Sequence, residues 1–326
     1  MSYNQKELSK IVEKELKDIF SKRVPKELYE PLSYFLELGG KRIRPTLVLA
    51  ACNLYKEDLS EAIQAAIAIE LFHNFTLIHD DVMDNADLRR GKTTVHTKYD
   101  LNTAILSGDS LLIEAYKYLN KISSDKLSKV LSVFNETAQL VCEGQQYDIN
   151  YETAQNVSVE DYLNMIQLKT AELLSGSLVI GGIIGGAPAE DLKNLRDFGI
   201  NIGIAFQLQD DLLDSLGDET KLGKKIGGDI TQNKKTFLLL KALELADDKT
   251  KVILNNLLKE NNIPEQKKIE TVVKIYNQLH IKELTEKKIA ELSIIKAQES
   301  LNKISVAIEK KSILQNFILL LTKREY

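Results

Sequence analysis

Residues 70–96 read ELFHNFTLIHDDVMDNADLRRGKTTVH. Asp80, Asp81 and Asp84 stand at the centre of this stretch. A helix turns about 100° per residue, so Asp80 and Asp84 fall on one face, one turn apart, with Asp81 beside them. Three carboxylates this close repel one another and raise each other's pKa, so a cation must offset them. Mg²⁺ suits the task, because it takes oxygen ligands and keeps waters and phosphate oxygens in its shell. Arg89 and Arg90 follow, then Gly91 and Lys92. Carboxylates with metal on one side and planar guanidinium forks on the other are what a diphosphate requires.

Taken alone, such a cluster reads as a solvated helix end. A second copy gives it weight. Residues 206–214 read FQLQDDLLD, with Asp210, Asp211 and Asp214 at the same spacing. Each copy follows strongly apolar helical sequence, AAIAIELFHNFTLIH at 65–79 and GINIGIAFQLQ at 199–209. Two helices that end their apolar runs in this way could face carboxylates across a shared cavity.

The flanking chain is that of a globular protein: 326 residues, 44% hydrophobic and 28% charged. A net charge of −4 argues against nucleic acid as a partner. No apolar run reads as reaching the ~18 residues of a membrane span, so an integral membrane protein is not expected. The N-terminus reads as a charged amphipathic helix and not as a signal peptide, which points to the cytoplasm. Cys52 and Cys142 lack metal-ligand spacing and read as two buried thiols. With five prolines and apolar residues recurring at i, i+3, i+4 and i+7, the chain reads as all-α. The longer predicted helices are 60–86, 125–148, 159–186, 189–216 and 264–300. No composition shift marks a boundary, so residues 1–326 read as a single domain.

Other stretches carry charge in suggestive places. Gly39-Gly40-Lys41-Arg42-Ile43-Arg44-Pro45 ends one helix and starts the next, setting Lys41, Arg42 and Arg44 near a helix N-terminus that favours anions. His73 lies two turns before Asp80 on nearly the same face. With Glu70 it also forms the Glu-x-x-His of di-iron bundles, but those need two such motifs and no other histidine here has Glu three positions earlier. Gly144-Gln145-Gln146-Tyr147-Asp148 closes an apolar run with polar groups. Lys169-Thr170 sits inside an apolar helix, and a buried lysine needs an anionic partner. Gly181-Gly182 and Gly185-Gly186 lack basic neighbours and read as close helix packing. Residues 221–229, rich in Gly and Lys, read as a lid that orders on an anion, with Lys234, Lys235 and Thr236 opening the next helix.

Together these pieces resemble a trans-type (head-to-tail) polyprenyl diphosphate synthase, of the short-chain geranylgeranyl or farnesyl kind. GGKRIRP (39–45), HNFTLIHDDVMD (73–84), LRRGKTTVH (88–96), KTAEL (169–173), FQLQDDLLD (206–214) and LGKKIGGDI with KKT (222–236) run in the family's order. Ser215 after the second cluster and the QNKKTF loop depart from the family's usual wording without removing a charge. The resemblance implies a single-domain bundle of about a dozen helices around a deep central cavity, the isoprenoid synthase fold, and a cytoplasmic homodimer. Apolar residues of 102–121 (Ala104, Ile105, Leu111, Leu112, Ala115), too many for burial on one side, agree with dimerisation.

The resemblance and the charges together imply condensation of isopentenyl diphosphate with an allylic diphosphate. Asp80, Asp84 and Asp210 would hold Mg²⁺, three ions per site with Mn²⁺ able to substitute, and Asp81, Asp211 and Asp214 would support the metals or their waters. Arg89, Lys169, Lys224 and Lys234 would hold the allylic diphosphate; Lys41, Arg44, His73 and Arg90 would hold isopentenyl diphosphate. Thr170 and Gln207 would turn their dipoles toward the cation. A class I terpene cyclase would need neither GGKRIRP nor a second Asp cluster, and a non-catalytic subunit of a heteromeric synthase would tend to have lost one cluster.

Product length rests on the helix before Asp80. Helix geometry favours Thr76 and Phe72 as wall residues, whereas the resemblance points to Phe75, the fifth residue before the first Asp. An aromatic there with a small residue after it resembles geranylgeranyl synthases, with farnesyl as runner-up and longer chains beyond.

Overall fold

Helix α4, Ser60–Met83, carries the first Asp cluster at its C-terminal end. It is apolar nearly all round, as a helix buried on every side must be. Ala62, Ala65, Ala66, Ile67, Ala68, Ile69, Leu71, Phe72 and Ile78 are all buried. Burying side chains of the size of Ile, Leu or Phe stabilises by about 1.5–3 kcal/mol each. Asp58 starts the helix by accepting from the Ser60 amide at 3.0 Å. Asn85 ends it at φ 48, and the Ala86 amide reaches back 3.0 Å to the Asp81 carbonyl. That left-handed reversal stops the helix one turn after the Asp cluster begins.

The structure is a computed structural model and describes residues 3–217, 226–259 and 263–322. Two compact units share the chain: 1–135 with 176–195 and 305–313, and 136–175 with 196–304 and 314–326. In the first unit α1 (Gln5–Leu16), α2 (Lys26–Glu37) and α3 (Ile43–Asn53) lead into α4. A hairpin follows, β1 (Leu88–Arg89) and β2 (Lys92–Thr93), then α5 (Val95–Lys98) and α6 (Leu101–Leu119). α4 packs most extensively on α6 and next on α3.

α7 (Ser124–Thr153) leads to α8 (Val159–Ile166), a π-helical stretch at Gln167–Ala171, α9 (Glu172–Gly185) and α10 (Ala189–Leu216). The second unit continues with α11 (Gly228–Thr231), α12 (Phe237–Leu245), α13 (Asp248–Lys259), α14 (Glu265–Gln278), α15 (Ile281–Ala290) and α16 (Gln298–Lys303), and α17 (Ser312–Thr322) closes the chain. Two glycines clamp the π stretch. A Cβ at Gly144 of α7 would lie 2.3 Å from the Lys169 nitrogen, and one at Gly203 of α10 2.4 Å from Ala171 Cα.

The all-α reading holds, and α10 spans the expected 189–216. Other expectations are corrected. The predicted helix 264–300 breaks at His280, whose φ of 54 interrupts the chain between α14 and α15 while the apolar period runs on undisturbed. The hairpin was invisible to periodicity, because its turn depends on positive φ at Arg90 (54) and Gly91 (72), the backbone of a type I′ turn. Cys52 is buried, but Cys142 is exposed and not the buried thiol expected. The run Val159–Gly185 is long and apolar enough to cross a membrane by composition, yet 72% of its apolar window is buried inside the protein. Glycine packing at 181 and 185 is as expected: a Cβ at Gly181 would lie 2.1 Å from the Val48 carbonyl oxygen, and one at Gly185 2.9 Å from that of Cys52.

Candidate active site

The turn between α2 and α3 sorts its basic residues by direction. Gly39 and Gly40 take φ 75 and 150, and Arg42 takes φ 48 at the N-cap of α3. Lys41 is exposed while Arg42 is buried. Arg42 pairs with Glu70 of α4 and donates to the Leu36 carbonyl at 2.9 Å. One turn further along α4, His73 Nε2 lies 3.1 Å from Arg44 Nη1. The Glu-x-x-His of the sequence is therefore engaged by two arginines. Arg44 can only donate, so Nε2 must accept and the imidazole is neutral. Burial, then the guanidinium groups of Arg44, Arg90, Arg89 and Arg42, hold His73 well below its ordinary pKa. His73 therefore stands among Lys41, Arg44 and Arg90 as an uncharged partner of Arg44.

The neighbouring arginines diverge. Arg89 Nε donates 2.8 Å to Asp81 Oδ1, with Nη2 on the same oxygen. Arg90 instead donates to the Gly39 carbonyl, its guanidinium 3.0 Å from where Gly40 would carry a Cβ. The hairpin that carries both is pinned by the Tyr34 hydroxyl on the Thr93 carbonyl at 2.6 Å.

Asp81 is buried, and burial raises its pKa despite Arg89; its Oδ2 has no hydrogen-bond partner. Asp80 is partly exposed and Asp84 exposed at the end of α4. Among the described residues, no three His, Cys, Asp or Glu side chains gather closely enough to hold a metal ion. These carboxylates nevertheless fit Mg²⁺ in kind, since that ion takes one or two protein carboxylates and completes its shell with waters and substrate phosphates.

Phe72, Phe75 and Thr76 lie one to two turns before the cluster. Phe72 is buried, with ring centroids 5.6 Å from Phe75 and 5.3 Å edge-on to Phe134. Phe75 meets the His79 ring at 4.8 Å. Thr76 Oγ1 donates to the His73 carbonyl at 2.9 Å, so its hydroxyl is satisfied within the helix.

In the second unit the second cluster is a hydrogen-bonded set. Asp211 is buried and accepts from the Tyr162 hydroxyl and from Gln207 Nε2 at 2.9 Å. Burial, then the Asp229 charge, pushes its pKa up to about 7. Gln207 Oε1 accepts from Thr170 Oγ1 at 3.1 Å, so those two predicted residues meet. Lys169 pairs with Asp148, the anionic partner a lysine in that apolar helix requires. The Asp229 amide donates to Asp214 Oδ2 at 2.8 Å. Asp210 is partly exposed beside them. Lys234 is half-exposed, 3.9 Å from Asp229, and Lys235 donates to the Tyr151 and Ala154 carbonyls at the end of α7. Lys224 lies outside the described residues, as does most of the 221–229 lid.

Tyr34 and Tyr162 escape the sequence reading, as do the contacts of Glu70 with Arg42, of Asp229 with Asp214 and of Lys235 with the end of α7. Asp148 has a signal in the sequence, in the need for a partner to Lys169.

A family model described as Polyprenyl synthetase matches residues 25–277. The chain is 40% identical over 273 residues to the short chain isoprenyl diphosphate synthase of Methanocaldococcus jannaschii, covering 83% of this chain and 82% of that one. It is 41% identical over 237 residues to the geranylgeranyl diphosphate synthase of Saccharolobus solfataricus, 71% of each chain. A crystal structure of a geranylgeranyl pyrophosphate synthase matches with a TM-score of 0.94 at 43% identity, over 99% of this chain and 100% of that one.

Proposed function

The chain belongs to the polyprenyl synthetase family, and from that premise we propose that it condenses isopentenyl diphosphate with an allylic diphosphate, with geranylgeranyl diphosphate as its main product. The allylic C–O bond breaks, its electron pair leaving with diphosphate. The double bond of isopentenyl diphosphate attacks the allylic carbon, and loss of a proton gives a chain one isoprene unit longer. The released diphosphate takes that proton.

What supports this reading most is the divergence of two adjacent arginines. Arg89 turns to the Asp cluster and Arg90 to the Gly39–Gly40 turn. Two neighbouring residues thus serve two anion sites of different character, one beside carboxylates and one beside Lys41 and Arg44. We assign Arg89, Lys169, Lys224 and Lys234 to the allylic diphosphate. Lys41, Arg44, His73 and Arg90 bind isopentenyl diphosphate, with the uncharged His73 also orienting Arg44.

Asp80, Asp84 and Asp210 are the residues that would hold Mg²⁺, three ions being expected and Mn²⁺ able to substitute. Bound there, the metal would stabilise charge building on the leaving diphosphate. Asp81 keeps Arg89 in place. Asp211 and Asp214 hold the Tyr162, Gln207 and Asp229 groups around the second cluster. The Thr170 hydroxyl donates to Gln207 Oε1, which turns the hydroxyl's own oxygen lone pairs toward the allylic cation.

We read residues 1–326 as one synthase domain, supported by a family match that runs through both compact units. Dimerisation in the cytoplasm is part of the same proposal. Leu101, Ile105, Leu106 and Ile113 of α6 are exposed, whereas Ala104, Leu111 and Ala115 are buried against the protein's own core. Light scattering at micromolar concentration checks it; a monomer refutes it.

The function is tested by following diphosphate release from purified protein with Mg²⁺. Release should need both isopentenyl and allylic substrates. Release from an allylic diphosphate alone would mark a cyclase, and none with either would mark a non-catalytic subunit.

A further inference from the structure

We propose that Glu70 is a positioning residue for isopentenyl diphosphate, holding Arg42 inward so that Lys41 and Arg44 of the same turn are aimed at the diphosphate. The inference rests on the synthase reading above.

Glu70 lies in the middle of the apolar helix α4 and is 2% exposed. A carboxylate there demands a partner. It finds Arg42, itself 7% exposed, and also accepts from Asn74 Nδ2 at 3.1 Å. Asn74 donates a second time to the Glu70 carbonyl at 2.6 Å, which fixes the side chains on the helix. Arg42 pays for this engagement with a left-handed backbone, φ 48, a conformation rare outside glycine. Something must hold it there. The guanidinium bridges α4, through Glu70, and the end of α2, through the Leu36 carbonyl at 2.9 Å.

The consequence falls on its neighbours. With Arg42 turned inward, Lys41 is exposed and Arg44 reaches His73. Glu70 and His73, three apart on α4, thus engage Arg42 and Arg44, two apart on the turn. The same turn offers the Gly39 carbonyl on which Arg90 rests. Arg42, Arg44, Arg89 and Arg90 all act electrostatically on His73, and Glu70 acts on Arg90 in the opposite sense to Arg42. Glu70 is therefore a buried counter-charge within this group of cations, and among the described residues its side chain bonds to Arg42 and Asn74, neither of which is assigned to a substrate.

A merely structural ion pair would stabilise the fold without setting affinity for one substrate. Calorimetric binding of isopentenyl diphosphate and of an allylic diphosphate to the full chain, with thermal unfolding of each variant, separates the two roles. Glu70→Gln should weaken isopentenyl diphosphate about tenfold or more, the order of a lost charge-assisted contact, with allylic binding changed less than about threefold. The double variant Glu70→Met with Arg42→Met removes both buried charges and should restore thermal stability, as apolar replacement of buried pairs often does. Its isopentenyl diphosphate affinity should remain about tenfold down, because nothing then holds the turn. Recovery of affinity together with stability would overturn the proposal, as would equal weakening of both substrates or no change in Glu70→Gln. Turnover of the wild type is measured separately: a wild type that binds both diphosphates without condensing them contradicts the synthase reading, while the binding comparison still decides the role of Glu70.

Discussion

Arg44 Nη1 lies 3.1 Å from His73 Nε2, and the imidazole accepts that hydrogen bond as a neutral ring. A neutral histidine beneath four guanidinium groups has a pH consequence. The folded-state pKa is depressed below the ordinary 6.5, by burial first and then by Arg44. Below that pH the unfolded chain binds a proton that the folded protein refuses. Stability should therefore fall as pH drops from 6.5 toward the folded value, at up to about 1.4 kcal/mol per pH unit. His73→Gln keeps an acceptor and removes the titration. Urea unfolding at pH 7.5 and 5.5 should show a smaller loss for His73→Gln than for wild type; equal losses would mean that His73 titrates normally.

The two diphosphates should depend on separate basic residues. Lys41→Ala and Arg44→Ala are expected to raise the KM of isopentenyl diphosphate by about tenfold or more with smaller effects on the allylic substrate. Lys234→Ala and Lys224→Ala should do the reverse. Steady-state kinetics with each substrate varied in turn decides this, and parallel changes in both KM values would sink the division.

Both Asp clusters should be indispensable. Asp80→Ala and Asp210→Ala should each lower turnover by roughly two orders of magnitude or more while the helical circular dichroism spectrum survives. Removal of divalent metal by a chelator should abolish turnover in the wild type, with recovery on adding Mg²⁺ or Mn²⁺. A near-normal rate in either variant with Mg²⁺ present would show that its carboxylate does not serve the metal.

The π-helical stretch makes a separate prediction. Lys169 and Thr170 sit in it, and it is held against α7 at Gly144 with no room for a methyl group. Gly144→Ala should push the stretch away, costing about 1–3 kcal/mol by overpacking. Because Lys169 and Thr170 move with it, kcat should fall more than the stability loss accounts for at a temperature where the variant is folded. A variant with reduced melting temperature and unchanged kcat would show that the stretch tolerates displacement.

Much of this architecture could be read from the chain because its signals are periodic. Apolar spacing marks α4 and α10, and two Asp clusters at matching spacing mark the ends of their apolar runs. What could not be read depends on contacts far apart in sequence or on local backbone exceptions. The Glu70–Arg42 pair joins α4 to the turn before α3, and the charge state of His73 follows from burial and from four arginines that converge only in the fold. His280 breaks a helix by a positive φ that no apolar period registers. The hairpin that separates Arg89 from Arg90 likewise turns on backbone angles at two residues.

Chain length is where the account commits itself furthest. Phe75, the fifth residue before Asp80, packs between Phe72 and His79 on α4, and we assign it the floor that stops the growing tail. The most direct measurement is mass analysis of the dephosphorylated products that the purified wild type and Phe75→Ala make from isopentenyl diphosphate and a dimethylallyl starter with Mg²⁺. The account predicts the twenty-carbon geranylgeranyl alcohol from the wild type and at least one further isoprene unit from Phe75→Ala. A fifteen-carbon wild-type product, or identical products from the two proteins, would contradict it.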